Sequence, residues 1–135
     1  MVIARILVQR AGSAAASIDR TFRLAPGEHV RFGRGPDNEL AIPDPEKRIS
    51  SHHGRFECRD DDRLYAIDLG SLNGTLHEGA LIDGRDGVCF ERDGAIRVGD
   101  FELQVRLLRE ADLAADRELA AEVAGNQAVV QCERT

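Results

Sequence analysis

Three short runs in the chain carry residue types able to hold an anion. They are Gly33-Arg34-Gly35-Pro36-Asp37-Asn38, Ile49-Ser50-Ser51-His52-His53 and Asp68-Leu69-Gly70-Ser71-Leu72-Asn73-Gly74-Thr75. Each is rich in the turn formers Gly, Pro, Asn, Asp and Ser, and each is flanked by apolar alternation. The Arg34 guanidinium, the Ser50 hydroxyl and the Asn73 amide are donors, as are backbone N–H groups that turns leave unbonded. Brought to one place, such donors suit an anionic group carried on a peptide. Loops this far apart in sequence need a rigid scaffold to meet.

That scaffold reads as β-structure. Val2 to Gln9 is apolar-rich, with Arg5 and Gln9 interrupting it, and reads as one strand followed by a flexible connection over 11–16. Phe22 and Leu24 alternate with Arg23 before the Pro26-Gly27 turn, and His29 to Phe32 alternates into Gly33-Arg34. Leu40 to Ile42 is a short strand closed by Pro43-Asp44-Pro45. Gly54 to Cys58 places Phe56 and Cys58 on one face and Arg55 and Glu57 on the other. Leu64 to Leu69 leads into the third run, and short strands are expected at Thr75–His77, Leu81–Ile82, Val88–Glu91 and Ala95–Val98. Phe101 to Leu108 is the clearest strand, with Phe101, Leu103, Val105 and Leu107 set against Glu102, Gln104 and Arg106. About ten short strands punctuated by turns every 8–12 residues or so are the pattern of a sandwich or barrel. Glu110 to Ala124 changes character: no Gly or Pro interrupts it before Gly125, so a helix with a glycine stop is expected. Leu113, Leu119, Ala120 and Val123 give that helix a weak apolar stripe.

Composition narrows the function. A chain of 135 residues suits one domain with its own core. Five Phe, one Tyr and no Trp leave Val, Ile and Leu to fill most of it. A net charge of −6 argues against nucleic-acid binding, which needs a basic face. Cys58, Cys89 and Cys132 form no CxxC pair and read as reduced thiols of a cytoplasmic protein. The N-terminus lacks a signal-peptide layout, and no apolar run is long enough for membrane insertion.

Other chemistries fit less well. The Gly33–Asn38 run lacks the third glycine, the following helix and the lysine of nucleotide loops. Ser50, His53 and Asp68 are types found in hydrolases, but no nucleophile elbow surrounds the serine, so no catalytic residue is assigned. His52, His53 and His77 suit zinc poorly, because adjacent strand residues point to opposite faces; neither metal nor cofactor is expected. Asp60-Asp61-Asp62 reads as a solvated hairpin tip.

In order and spacing the three runs resemble the forkhead-associated (FHA) domain family over about Ile3 to Leu108. The family's first motif is Gly-Arg, here Gly33-Arg34, with Asn38 and Leu40–Ile42 downstream. Its second is Ser-Arg-x-His, here Ser50-Ser51-His52-His53. Its third is Ser-x-Asn-Gly-Thr, here Ser71-Leu72-Asn73-Gly74-Thr75, followed by a second Asn-Gly, here Glu78-Gly79. The resemblance implies an all-β sandwich of about eleven strands in two sheets, residues 1–109, with residues 110–135 a helical tail or linker. It also implies a non-enzymatic module that binds a threonine-phosphorylated protein or peptide in bacterial signalling. Arg34 and Ser50 would then hold the phosphate, with Ser51 beside them on the peptide-binding rim, and Asn73 the neighbouring peptide backbone. Leu72 and Asn73 would form the niche for the threonine methyl. Gly33, His53, Gly70, Ser71 and Gly74 would shape the loops. The Pro43-Asp44-Pro45-Glu46-Lys47-Arg48 insert resembles FHA proteins associated with type VI secretion, where the module takes part in phosphorylation control of apparatus assembly.

Two positions depart from the family. Ser51 stands where the family usually has Arg; losing a charged hydrogen bond worth about 1.5–3 kcal/mol is expected to weaken binding roughly ten- to hundredfold. That departure leaves a second expectation open, a degenerate FHA domain docking an unphosphorylated partner as a scaffold. Glu78 replaces the Asn of the second Asn-Gly, a position whose role is mainly structural. From Arg34 to Arg55 four cations balance four anions, so electrostatic steering of a phosphopeptide should be modest, with Arg48 and His52 available to replace the missing guanidinium.

Overall fold

Two β-sheets pack face to face in the computed structural model, which describes residues 1–13 and 15–125. In chain order the strands are β1 (Val2–Arg10), β2 (Ile18–Leu24), β3 (His29–Gly33), β4 (Leu40–Ala41), β5 (Gly54–Cys58), β6 (Leu64–Asp68), β7 (Leu76–His77), β8 (Ala80–Leu81), β9 (Val88–Phe90), β10 (Gly94–Val98) and β11 (Phe101–Leu108). One sheet has the order β2-β1-β11-β10-β7-β8, the other β4-β3-β5-β6-β9. Neighbours run antiparallel except β3 and β4, which pair in parallel through Phe32–Leu40 and Gly33–Ala41. The expected FHA-like sandwich of about eleven strands in two sheets is the architecture found.

Period-two alternation explains the core. Ala4, Ile6 and Val8 face inward from β1, in register with Leu107, Val105 and Leu103 of β11. Phe22, Phe32 and Phe56 are almost wholly buried between the sheets, each contributing on the order of 1.5–3 kcal/mol through removal from water. The Phe32 ring lies 5.2 Å from that of Phe56 and 6.0 Å from the His53 imidazole, so the core runs up to the base of the loops. Strand β2 begins four residues before the Phe22/Leu24 alternation, because Ile18 to Thr21 pair with Arg5 to Val8 of β1. Its register is held there by the Arg5–Asp19 ion pair, at 2.6 Å.

The C-terminal helical stretch is present, but divided into α1 (Glu110–Ala115) and α2 (Arg117–Gly125). Asp116 breaks it: its backbone is extended (φ −133°, ψ 102°), and its Oδ1 accepts the Leu119 N–H at 3.0 Å, capping α2. Leu113 and Val123 pack on Ile3, Leu108, Leu119 and Ala120, forming a second, smaller core against the six-stranded sheet. The Glu122 carboxylate also accepts the Thr21 N–H of β2, a strand at the sheet edge. Cys58 and Cys89 are free thiols, and Cys132 lies outside the described residues. Among the described residues no helix is long and apolar enough to cross a membrane.

Candidate functional site

The three runs form neighbouring loops at one end of the sandwich. The first leaves β3, the second leads into β5, and the third joins β6 to β7. Because β3, β5 and β6 are consecutive in the same sheet, their ends bring these loops side by side. Close approach of the first two needs Gly33, where a Cβ would lie 2.4 Å from the Ser51 carbonyl oxygen. Three backbone bonds then tie them: Arg34 N–H to Ser50 O (3.0 Å), Gly35 N–H to Ser51 O (3.0 Å) and His53 N–H to Phe32 O (3.1 Å). Asn38 is buried and its Nδ2 bridges Gly35 O and Ser51 O, at 2.8 and 2.7 Å.

Arg34 is half-buried, with its guanidinium laid along the second loop. Nε donates to Ile49 O at 3.1 Å and Nη2 to Ser51 Oγ at 3.3 Å. The neighbouring carboxylates are engaged elsewhere: Asp37 with His52 at 2.7 Å, and Glu39 with Arg31 at 2.9 Å. Among the described residues no carboxylate is within ion-pairing distance of Arg34, so its charge is balanced by dipoles alone. Ser50 Oγ accepts the Leu72 N–H at 3.0 Å, which leaves the hydroxyl hydrogen to donate. The Ser50 backbone N–H is already given to His53 Nδ1, at 3.1 Å. Of the two Ser50 donors, the hydroxyl is the one left to a ligand.

His53 locks the second loop to the third. Its ring is fully buried; Nδ1 accepts from Ser50 and Nε2 lies 2.8 Å from Gly74 O, which makes it the neutral tautomer protonated at Nε2. Burial pushes its pKa below the usual 6.5, against the opposing pull of the Gly74 carbonyl and Asp68. No hydrogen bond joins His53 to the Ser50 hydroxyl, so the two do not form a nucleophile–base pair. His52 is engaged by Asp37 and His77 packs edge-on against Phe90, so the three histidines do not converge.

The third loop is organised by Asp68, whose sequence context gives no sign of that role. Its Oδ1 accepts the Ser71 N–H at 2.8 Å, and Oδ2 accepts the Ser71 and Thr75 hydroxyls at 2.5 and 2.8 Å. Burial raises its pKa, but these bonds and the nearby His53 outweigh that and hold the carboxyl below its ordinary value. Ser71 Oγ in turn accepts the Gly74 N–H at 2.9 Å. Gly70 and Gly74 take positive φ of 75° and 81°, conformations that side chains resist. The loop presents Leu72, 86 % exposed, and Asn73, also exposed, whose Nδ2 donates to Arg48 O at 2.9 Å. Arg34 and Asn73 thus grip the 48–51 segment from two sides, with the Ser50 hydroxyl between them.

Asp44 is a second residue that sequence reasoning passes over. It is buried, and its carboxylate accepts the N–H groups of Glu46, Arg48 and Ile49 at 3.2, 2.8 and 2.9 Å. The Pro43–Arg48 insert is therefore a rigid turn that sets the height of the second loop. An Asp between two prolines was the available signal, since such residues favour local side chain-to-backbone bonds. Neither Arg48 nor His52 approaches Arg34: Arg48 pairs with Asp100 at 3.1 Å and Glu46 at 3.3 Å, and His52 with Asp37.

Two sheets with three interlocked loops at one end are the architecture of an FHA-like β-sandwich. Residues 30–93 match the FHA domain family model, and the two-sheet fold is FHA-like. Its structure is similar to an Arabidopsis thaliana FHA domain solved in solution (28 % identity, TM-score 0.64, covering 81 % of this chain and 88 % of that one). It is similar to Mycobacterium tuberculosis Rv1747 FHA-1 (26 %, 0.58, 78 % and 98 %). A third similar structure is M. tuberculosis EmbR in complex with a low-affinity phosphopeptide (21 %, 0.60, 78 % and 24 %). No curated protein matches the sequence significantly.

Proposed function

We propose that this domain is a non-catalytic reader of phosphothreonine on a partner protein, acting in bacterial signalling. The observation that carries the reading is the Arg34 guanidinium: half-buried, aimed by Ile49 O and Ser51 Oγ, and without a carboxylate partner among the described residues. A phosphate dianion supplies the missing charge and offers acceptors to the remaining guanidinium N–H groups and to the Ser50 hydroxyl. Asn73 then bonds the peptide backbone beside the phosphothreonine, with Leu72 flanking the threonine methyl. That one of the similar structures, EmbR, is described in complex with a phosphopeptide supports the same reading. The likeness of the Pro43–Arg48 insert to type VI secretion-associated FHA proteins makes control of that apparatus the setting proposed for it.

Ser51 favours a second reading. Where the family usually has a further guanidinium, this rim has a hydroxyl turned to Arg34, which suits docking of an unmodified partner. Calorimetry with one peptide in threonine-phosphorylated, serine-phosphorylated and unmodified forms separates the two. The proposed function expects binding in about the micromolar range for the phosphothreonine form and weaker binding for the others. Equal affinity for all three overturns it in favour of unmodified docking.

A further inference from the structure

Strand β2 is an edge of the six-stranded sheet, and its outer side is covered. In an antiparallel pair alternate residues turn their N–H and C=O groups away from the neighbouring strand. Thr21, opposite Arg5 of β1, is such a residue, and Asp19 and Arg23 share its orientation. The Thr21 N–H is taken by the Glu122 carboxylate of α2, which stands where a further strand would pair. Sheets are covered at their edges because an open edge templates pairing with another chain. Here the cover is slight. Among the described residues of α2, Val123 is the one buried side chain, and the Arg23–Glu110 ion pair that ties α1 to β2, at 3.1 Å, is exposed.

The β2 sequence is also complementary to itself. A second copy laid antiparallel along the outer side, with the two-fold axis at Thr21, sets Asp19 opposite Arg23 of the other copy and Ile18 opposite Leu24. Arg20 then faces Phe22 of the other copy, repeating a contact made within one chain, where the Arg20 guanidinium lies 5.0 Å from the Phe22 ring centre. Moving the axis to Asp19 or to Arg23 puts like charges face to face, so the charges select the register. We propose that the outer edge of β2 is a self-association surface, that its partner is a second copy of this chain, and that α2 occludes it. Displacing α2 lets the two six-stranded sheets join into one continuous sheet. None of the rim loops takes part, so this pairing stands or falls apart from the phosphothreonine reading.

Two full-length variants uncover the edge by different means. Val123→Glu unseats α2, and Glu122→Lys removes the contact to Thr21 while keeping the small core, so the second serves where the first fails to fold. Sedimentation across the micromolar range measures the oligomer, and hydrogen exchange at the Thr21 amide reports whether the edge is covered. The wild type should be monomeric with that amide protected. The variants should dimerise with a dissociation constant at least about tenfold below that of the wild type. In either background, Asp19→Arg or Arg23→Asp alone should abolish the dimer, and mixing the two proteins should restore it, because opposite charges again meet across the edge. Variants that stay monomeric, whether the Thr21 amide is exposed or still protected, overturn the proposal. So does a wild type already paired through β2, or association that ignores the charge changes. Phosphothreonine-peptide binding by the same samples bears on the rim alone.

Discussion

Arg34 commits Nε and Nη2 to loop acceptors and keeps its net charge uncompensated. Its replacement by alanine should therefore cost ligand affinity far more than stability. A loss of about 1.5–3 kcal/mol in phosphopeptide binding is expected, roughly ten- to hundredfold, with a thermal midpoint close to wild type. Calorimetry and a melting curve on the same sample check both halves; an unfolded variant would mark Arg34 as structural. Ser51→Arg is the converse change. The exposed Ser51 side chain has room for a longer one, and the new guanidinium should raise phosphopeptide affinity by a similar factor. His53 gives a pH prediction. Its folded pKa lies below 6.5, so between those two values the unfolded chain binds the extra proton. Its contribution should be fully present above about pH 6.5 and decline as pH falls through the folded value. Urea titrations across that range should show the decline, and His53→Gln should flatten it.

At the level of elements, turns and strand ends set the geometry of the rim. Strands β7 and β8 are joined by Glu78 and Gly79, with φ of 51° and 82°, the two positive values a type I′ hairpin requires. Glu78 is strained there in a way asparagine is not. Glu78→Asn should raise stability by about 0.5–1 kcal/mol without altering ligand binding, measured by denaturant unfolding. The parallel β3–β4 pair acts differently, returning the chain so that Asp44 can seat the second loop beneath Asn73.

At the scale of the whole molecule, α1 and α2 form one packed unit with the sandwich. Removing residues from 110 onward uncovers Ile3 and Leu108 and leaves the Thr21 N–H without the Glu122 carboxylate. Lost burial of Leu113 and Val123, less the entropy regained by the freed chain, predicts a destabilisation of about 1–3 kcal/mol. Thermal unfolding of the truncated protein measures it. A melting point unchanged by the truncation would make the helices a linker. Because the rim lies at the other sheet's loop ends, phosphopeptide affinity should survive the truncation.

Period-two alternation and turn residues are local properties, and they were legible in the chain alone. Phe101 to Leu108, Gly54 to Cys58 and the three Gly/Asn/Ser runs could be placed from neighbours a few residues away. The helical tail was legible too, although the Asp116 break was not, because an Asp inside such a stretch becomes a cap only when packing favours the bend. Pairings across long sequence separations were decided by the tertiary structure. Asp37 has Arg31, Arg34 and His52 within reach along the chain, and only the fold gives it to His52. The same holds for the burial that keeps His53 neutral and for Asp68 as the hub of the third loop. Residue types and spacing state which donors and charges exist; which of them are satisfied depends on distances that only the closed sandwich sets.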